Sequence, residues 1–144
     1  MIDSLKVVGS LKMILSDKDG NIKEERDLKN LVVDTGKAFI INALKASSTS
    51  PFNWIAIGTD STYQNTSNTQ LGAEIARVAT TNTTTTSSIT YTAVFAPGVG
   101  TGTIVESGIF NSSSSGTMFS RTTFTSVSKQ ASDQLTVIWT INIS

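Results

Sequence analysis

The sequence predicts a mainly β protein, an antiparallel β-sandwich with one short α-helix near residues 35–45. Three observations carry this reading. Several segments alternate apolar and polar residues, as half-buried strands do. Turn formers such as Asp19-Gly20 and Pro97-Gly98 separate those segments. Only one stretch places apolar residues clearly at helical spacing, and no strand–helix alternation points to a parallel sheet. At 144 residues the chain reads as one β-sandwich domain, 1–144, with a charged N-terminal hairpin and helix in residues 1–45.

In SLKVVGSLKMILS, residues Leu5, Val7, Leu11, Met13 and Leu15 share one face, and Gly9 is a candidate break. Asp19-Gly20 is a hairpin signal and Ile22 to Asp27 the return strand. DKDGN has a faint likeness to a calcium loop but lacks the remaining acidic ligands, so a turn is the better reading. NLVVDTGKAFIINALK is the helix. Asp34 or Thr35 caps it, Ala38, Ile41 and Leu44 or Phe39 and Ala43 form its apolar face, Lys45 lies in its last turn, and Pro51 follows its end. NWIAIGT reads as a strand and TDSTYQNTSNTQ as a polar loop. LGAEIARVAT reads as a short helix running into a strand, with Leu71, Ile75 and Val78 at helical spacing. TNTTTTSS reads as an exposed loop or strand end. ITYTAVFA and LTVIWTINI alternate as strands, and TIVESGIF and TMFSRTTF form a hairpin.

The chain has no Cys and no His. This excludes disulfides, zinc–thiolate sites, Ser-His-Asp triads and histidine acid–base chemistry. Formal net charge is zero and the Lys and Arg residues form no stripe, so neither nucleic acid nor an anionic membrane is an expected partner. No signal peptide or membrane-length apolar run is expected. GVGTG lacks the Lys-Ser/Thr of a phosphate loop and reads as a turn. No cofactor is expected. After residue 46 the only charged side chains are Asp60, Glu74, Arg77, Glu106, Arg121, Lys129 and Asp133. So neutral a region either solvates itself with Thr, Ser and Asn or is covered by neighbouring subunits, and it is expected to carry subunit contacts.

Two charge pairs stand out there. Folding ESGIFNSSSSGTMFSR about a loop at Ser112–Ser115 pairs Asn111 with Gly116 and Ile109 with Met118, and sets Glu106 directly opposite Arg121. Ile104, Gly108 and Phe110 would share the Glu106 face, so the charge needs a partner. A structural ion pair that fixes hairpin register explains the spacing; a catalytic acid would need a second carboxylate, and Glu74 is the candidate. Glu74 in turn has Arg77 three residues on, the spacing of an intrahelical pair. Trp54, Tyr63 and Trp139 could stack on a glycan, but both Trp residues lie in apolar runs that read as core.

The order NLVVDTG, WIAIGT, LGAEIAR, VFAPGVGTGTIVESGIF, GTMFSRTTF and LTVIWTINI resembles small virion structural proteins of tailed bacteriophages, over roughly residues 5–143. The resemblance implies a non-enzymatic β-sandwich attached to a larger assembly in the virion. Its partners would be the major capsid protein or other virion proteins, and further copies of itself. Capsid decoration or cement proteins, head-fibre bases and tail proteins all fit. The absence of a long shaft, a heptad pattern or a collagen-like repeat favours a compact decoration protein over a tail or fibre-attachment protein. A carbohydrate-binding module is the remaining alternative.

Overall fold

The computed structural model describes residues 6–44, 50–62 and 64–143. Two five-stranded antiparallel sheets pack face to face as a β-sandwich. The strands are β1 (Val7–Ser16), β2 (Ile22–Lys29), β3 (Leu31–Val32), β4 (Trp54–Gly58), β5 (Glu74–Ala79), β6 (Thr81–Thr84), β7 (Ser88–Phe95), β8 (Gly102–Phe110), β9 (Met118–Lys129) and β10 (Gln134–Ile143). The single helix among the described residues, α1, spans Asp34–Leu44. Sheet A has the order β2-β1-β10-β7-β6 and sheet B the order β3-β9-β8-β4-β5.

Alternation builds the core. Leu11, Met13 and Leu15 of β1, Leu135, Val137 and Trp139 of β10, and Tyr91, Ala93 and Phe95 of β7 all point inward from sheet A. They meet Ile55 and Ile57 of β4, Ile104 and Ile109 of β8, and Phe124 and Val127 of β9. Each such side chain contributes about 1.5–3 kcal/mol by leaving water. β1 runs unbroken through Gly9, contrary to the break expected there.

The hairpin between β1 and β2 turns on Asp17–Asn21. The Asp17 carboxylate accepts from the Asp19 and Asn21 amides, and Gly20 adopts φ 84°. This is turn chemistry, as the sequence indicated. β2 is the charged edge of sheet A. Its Arg26 donates to the Thr125 and Ser126 carbonyls of β9, which ties the rims of the two sheets together.

The helix lies where its periodicity put it, but its details differ. Thr35 does not cap the N-terminus; its hydroxyl donates to the Met118 carbonyl, while the Val33 carbonyl accepts the first helical amides, of Gly36 and Lys37. Phe39 and Ile40 pack on the core, whereas Ile41 is 57% exposed. The inward stripe is drawn to the edge-on contacts of Phe39 with Phe52 and Phe119, whose centroids lie 4.5 and 6.5 Å away. Lys45 lies outside the described residues.

One further reading is narrowed and one is corrected. TNTT, read as an exposed loop or strand end, is the exposed strand β6, paired with β7. LGAEIAR contains no helix: Glu74 to Ala79 is strand β5, paired with β4. A bulge gives this segment its misleading period. Ile57 faces Ala76 and Gly58 faces Glu74, so Ile75 is the extra residue. The bulge returns Glu74 and Arg77 to the same face of the sheet, at a spacing that on sequence reads as helical. Leu71 and Val78 consequently serve different clusters, Leu71 the outer face of sheet B and Val78 the inter-sheet core.

Candidate functional site

The outer face of sheet B carries a second, smaller apolar cluster made of Val33, Ala56, Leu71, Phe110 and Met118, with Trp54 packed at its margin. A sheet face of this kind needs a cover, and residues 59–62 and 64–73 supply it. The Thr59 amide donates to the Ala73 carbonyl at 3.0 Å, so the loop leaves and rejoins the sheet at one point. Gly58 and Gly72 permit the close approach. A Cβ at Gly58 would lie 2.5 Å from Glu106 Oε2 and 2.6 Å from the Ala73 carbonyl oxygen, and one at Gly72 would lie 2.4 Å from the Asp60 carboxylate.

Glu106 and Arg121 sit beneath this loop, with side chains 0% and 2% exposed. They form the expected ion pair, but not as direct cross-strand partners. Glu106 faces Thr123 and Arg121 faces Gly108, so the contact is diagonal. Two irregularities in the hairpin produce the offset. Phe110 pairs with Met118 and Ile109 with Ser120, which leaves Phe119 as an extra residue on β9. At the tip, the Asn111 amide reaches Thr117 and not Gly116. A second irregularity between Ile104 and Glu106 sends Ile104 into the inter-sheet core, so it does not share the Glu106 face.

The pair is completed by the loop. Glu106 Oε1 accepts from Arg121 Nη2 at 2.9 Å and from the Gly72 amide at 2.7 Å; Oε2 accepts from the Asp60 and Ala73 amides at 3.0 and 2.8 Å. Arg121 Nη1 donates to Asn68 Oδ1 at 2.9 Å and Nη2 to the Asp60 carbonyl at 3.1 Å. Gln64 adds a link by accepting from the Thr123 amide and hydroxyl. A buried carboxylate with both oxygens engaged and an arginine spread over backbone carbonyls is a satisfied network. Its chemistry is to bind the loop to the sheet. The Asp60 carboxyl is held below its ordinary value, chiefly by the Thr62 hydroxyl and then by the Thr62 amide.

Glu74 and Arg77 lie at the margin of the same face, on β5. Arg77 grips the Glu74 carboxylate with Nε at 2.9 Å and Nη2 at 2.7 Å. Its Nη1 donates to the Ser112 and Ser115 carbonyls at 2.9 Å each, and its guanidinium lies 3.8 Å over the Phe110 ring. Arg77 thus latches the β8–β9 loop onto β5. An open groove of about 470 Å³ runs past Glu74, Arg77, Gln70 and Gly116. Glu74 is 32% exposed there, whereas Glu106 is sealed beneath the loop. The two carboxylates therefore do not face a common solvent space.

Trp139 is buried in the inter-sheet core; Trp54 is half-buried on the opposite face of sheet B. The two indoles form no common platform, and Trp54 is less enclosed than its apolar run suggested. Tyr63 lies outside the described residues. Among the described residues no group of three or more acidic side chains is placed to hold a metal ion, and no helix is long and apolar enough to cross a membrane.

Sequence reasoning missed a second buried charge cluster. Lys129 and Asp133 are each 1% exposed. Asp133 accepts from Lys23 Nζ at 2.7 Å and from the Gln130 amide at 2.8 Å, while Lys129 Nζ donates to the Ala96 and Asp133 carbonyls. Burial lowers the Lys129 pKa; the Lys23 contact foremost, then the Gln130 amide, lowers that of Asp133. Partners contributed by β2 and by the turn before β8 could not be read from local spacing.

The fold and its buried charges define an antiparallel two-sheet β-sandwich whose internal ion pairs bind loops to sheets. No protein-family model, curated protein or solved structure matches the chain.

Proposed function

We propose that this chain is a non-enzymatic structural protein of a tailed-bacteriophage virion, a decoration or cement protein seated on the head shell through contacts with the major capsid protein. The observation that carries the reading is the outer face of sheet A. Register places Thr83, Thr90, Thr140 and Ser10 in one row across four strands, and Thr81, Thr92, Ile138 and Lys12 in the next. Val94, 46% exposed, and Val8, 51% exposed, stand on the same face. Across β6, β7 and β10 this is a broad, uncharged surface of hydroxyl and methyl groups, and charge enters at β1 and β2, where Lys12 pairs with Glu25 and where Asp27 and Lys29 end the two rows. It costs little to desolvate against another protein, and its hydroxyls can exchange water for carbonyl partners.

The acidic groups that could support an enzyme reading are engaged in holding loops, which favours a scaffold. The resemblance in motif order points the same way. A tail or fibre-attachment role is the second reading and would use the same face. The test is quantitative mass spectrometry and particle imaging on virions from a phage encoding this chain. Many copies per head, with density for the sandwich on the shell, are expected. Copies confined to the tail would favour the second reading, and absence from particles would sink both.

A further inference from the structure

Among the described residues the sandwich has four edge strands, and three are guarded. β2 carries Lys23, Glu24, Glu25, Arg26, Asp27 and Lys29. β3 is two residues long. β5 has a bulge at Ile75 and the charged pair Glu74 and Arg77. β6 has none of these devices. Thr81, Asn82, Thr83 and Thr84 are all exposed, and no charge or proline occurs between Val78 and Val94. An uncharged, unbulged edge presents free backbone donors and acceptors to another strand.

We propose that β6 is the contact edge of a homodimer, with Thr83 set against its own counterpart in a second copy across a two-fold axis. The register follows from the hairpin. The Thr85 amide donates to the Ser88 carbonyl at 2.9 Å, so Thr85 and Ser88 form a hydrogen-bonded pair. Such pairs alternate along an antiparallel ladder. Thr83–Thr90 and Thr81–Thr92 are therefore the bonded pairs within the sheet. Asn82 and Thr84 direct their amides and carbonyls away from β7.

A two-fold axis perpendicular to the sheet pairs residues of the same face. Centred on Thr83, it sets Asn82 of each copy against Thr84 of the other, and every outward group finds a partner. Centred on Asn82, it would require Thr80, whose amide is already given to the Asn53 carbonyl at 2.9 Å. The Thr83 register is thus the one that uses the whole edge. The occupant is a second copy because this edge is self-complementary: it has no charge to repel itself, and Thr meets Thr, a favourable cross-strand pair. The joined sheets would continue the hydroxyl rows across both copies. This proposal stands independently of the virion reading, since it concerns the purified chain.

Position 83 offers a direct test. The chain has no cysteine, so a single one is diagnostic. Non-bonded antiparallel partners hold their Cα atoms about 4.5 Å apart, within disulfide reach. Under mild oxidation, Thr83→Cys should form a covalent dimer rapidly, and Thr103→Cys, exposed on β8, should not. Thr83→Lys, which opposes two like charges, should weaken dimerisation in sedimentation equilibrium by roughly tenfold or more. Asn82→Pro, which removes an outward amide only, should do likewise, and circular dichroism checks that each variant is folded. A wild-type chain that sediments as a monomer overturns the proposal. So do equal cross-linking at positions 83 and 103, or a dimer indifferent to both Thr83→Lys and Asn82→Pro, which would place the contact elsewhere.

Discussion

Arg121 lies opposite Gly108, yet its Nη2 sits 2.9 Å from Glu106 Oε1, two residues away along β8. The contact slants across the hairpin, and loop residues 60, 68, 72 and 73 close over both side chains. Glu106→Ala or Arg121→Ala strands the remaining buried charge and should cost about 3–5 kcal/mol, read from urea unfolding midpoints. Exchanging the two residues should not restore stability. An arginine at position 106 would face the amides of Asp60, Gly72 and Ala73, which are donors like itself. Recovery by the exchange would show that the pair, and not the loop, dominates.

Gly58→Ala should destabilise the fold by about 1–3 kcal/mol, as an overpacking change does. The added methyl meets the Glu106 carboxylate and the Ala73 carbonyl, both fixed. A thermal midpoint equal to wild type would mean that the loop has room to shift.

The acid limb of stability should depend on Asp133. Its folded pKa lies below the ordinary 3.8, chiefly because of Lys23. Its contribution is therefore complete above that value and is lost as pH falls through the folded pKa. Lys129, lowered from 10.5 by burial, acts at the other end: its burial penalty is relieved as pH rises through its folded pKa. Thermal melts of Asp133→Asn between pH 2 and pH 7 should show a flatter acid slope than wild type. An unchanged slope would assign acid sensitivity to other carboxylates.

Arg77→Lys should preserve charge yet loosen the β8–β9 loop. A lysine cannot chelate Glu74 through two nitrogens while also reaching the Ser112 and Ser115 carbonyls. Hydrogen exchange should accelerate at residues 112–117 and remain unchanged in β1 and β10. Uniform acceleration would indicate a global loss of stability.

The two-sheet class was legible because β1, β7 and β10 alternate cleanly, with Leu11, Phe95 and Trp139 all inward. The Glu106–Arg121 pairing was legible because charge is scarce around it. Its register was not. Phe119 is an extra residue drawn toward Phe52 and Phe39, and no local pattern distinguishes such a bulge from regular pairing. LGAEIAR was misread for a related reason, since the bulge at Ile75 gives a strand the spacing of a helix turn. The loop over Glu106 escaped notice because its contribution is made by backbone amides, which every sequence possesses. Residues 59–73 look like any polar connection until Gly58 and Gly72 are seen against the carboxylate.

The central pairing of sheet A joins β1 to β10, with Val7 against Ile143 and Ser16 against Gln134. During synthesis, β1 leaves the ribosome with β2 as its only in-sheet neighbour, and its other edge stays unpaired until β10 has been made. Closure of the sandwich is therefore a late event of high contact order, expected on the slow side for a chain of this size. Nascent chains stalled before β10 should remain protease-sensitive in β1 and depend on chaperones, however completely the β8–β9 hairpin has already formed.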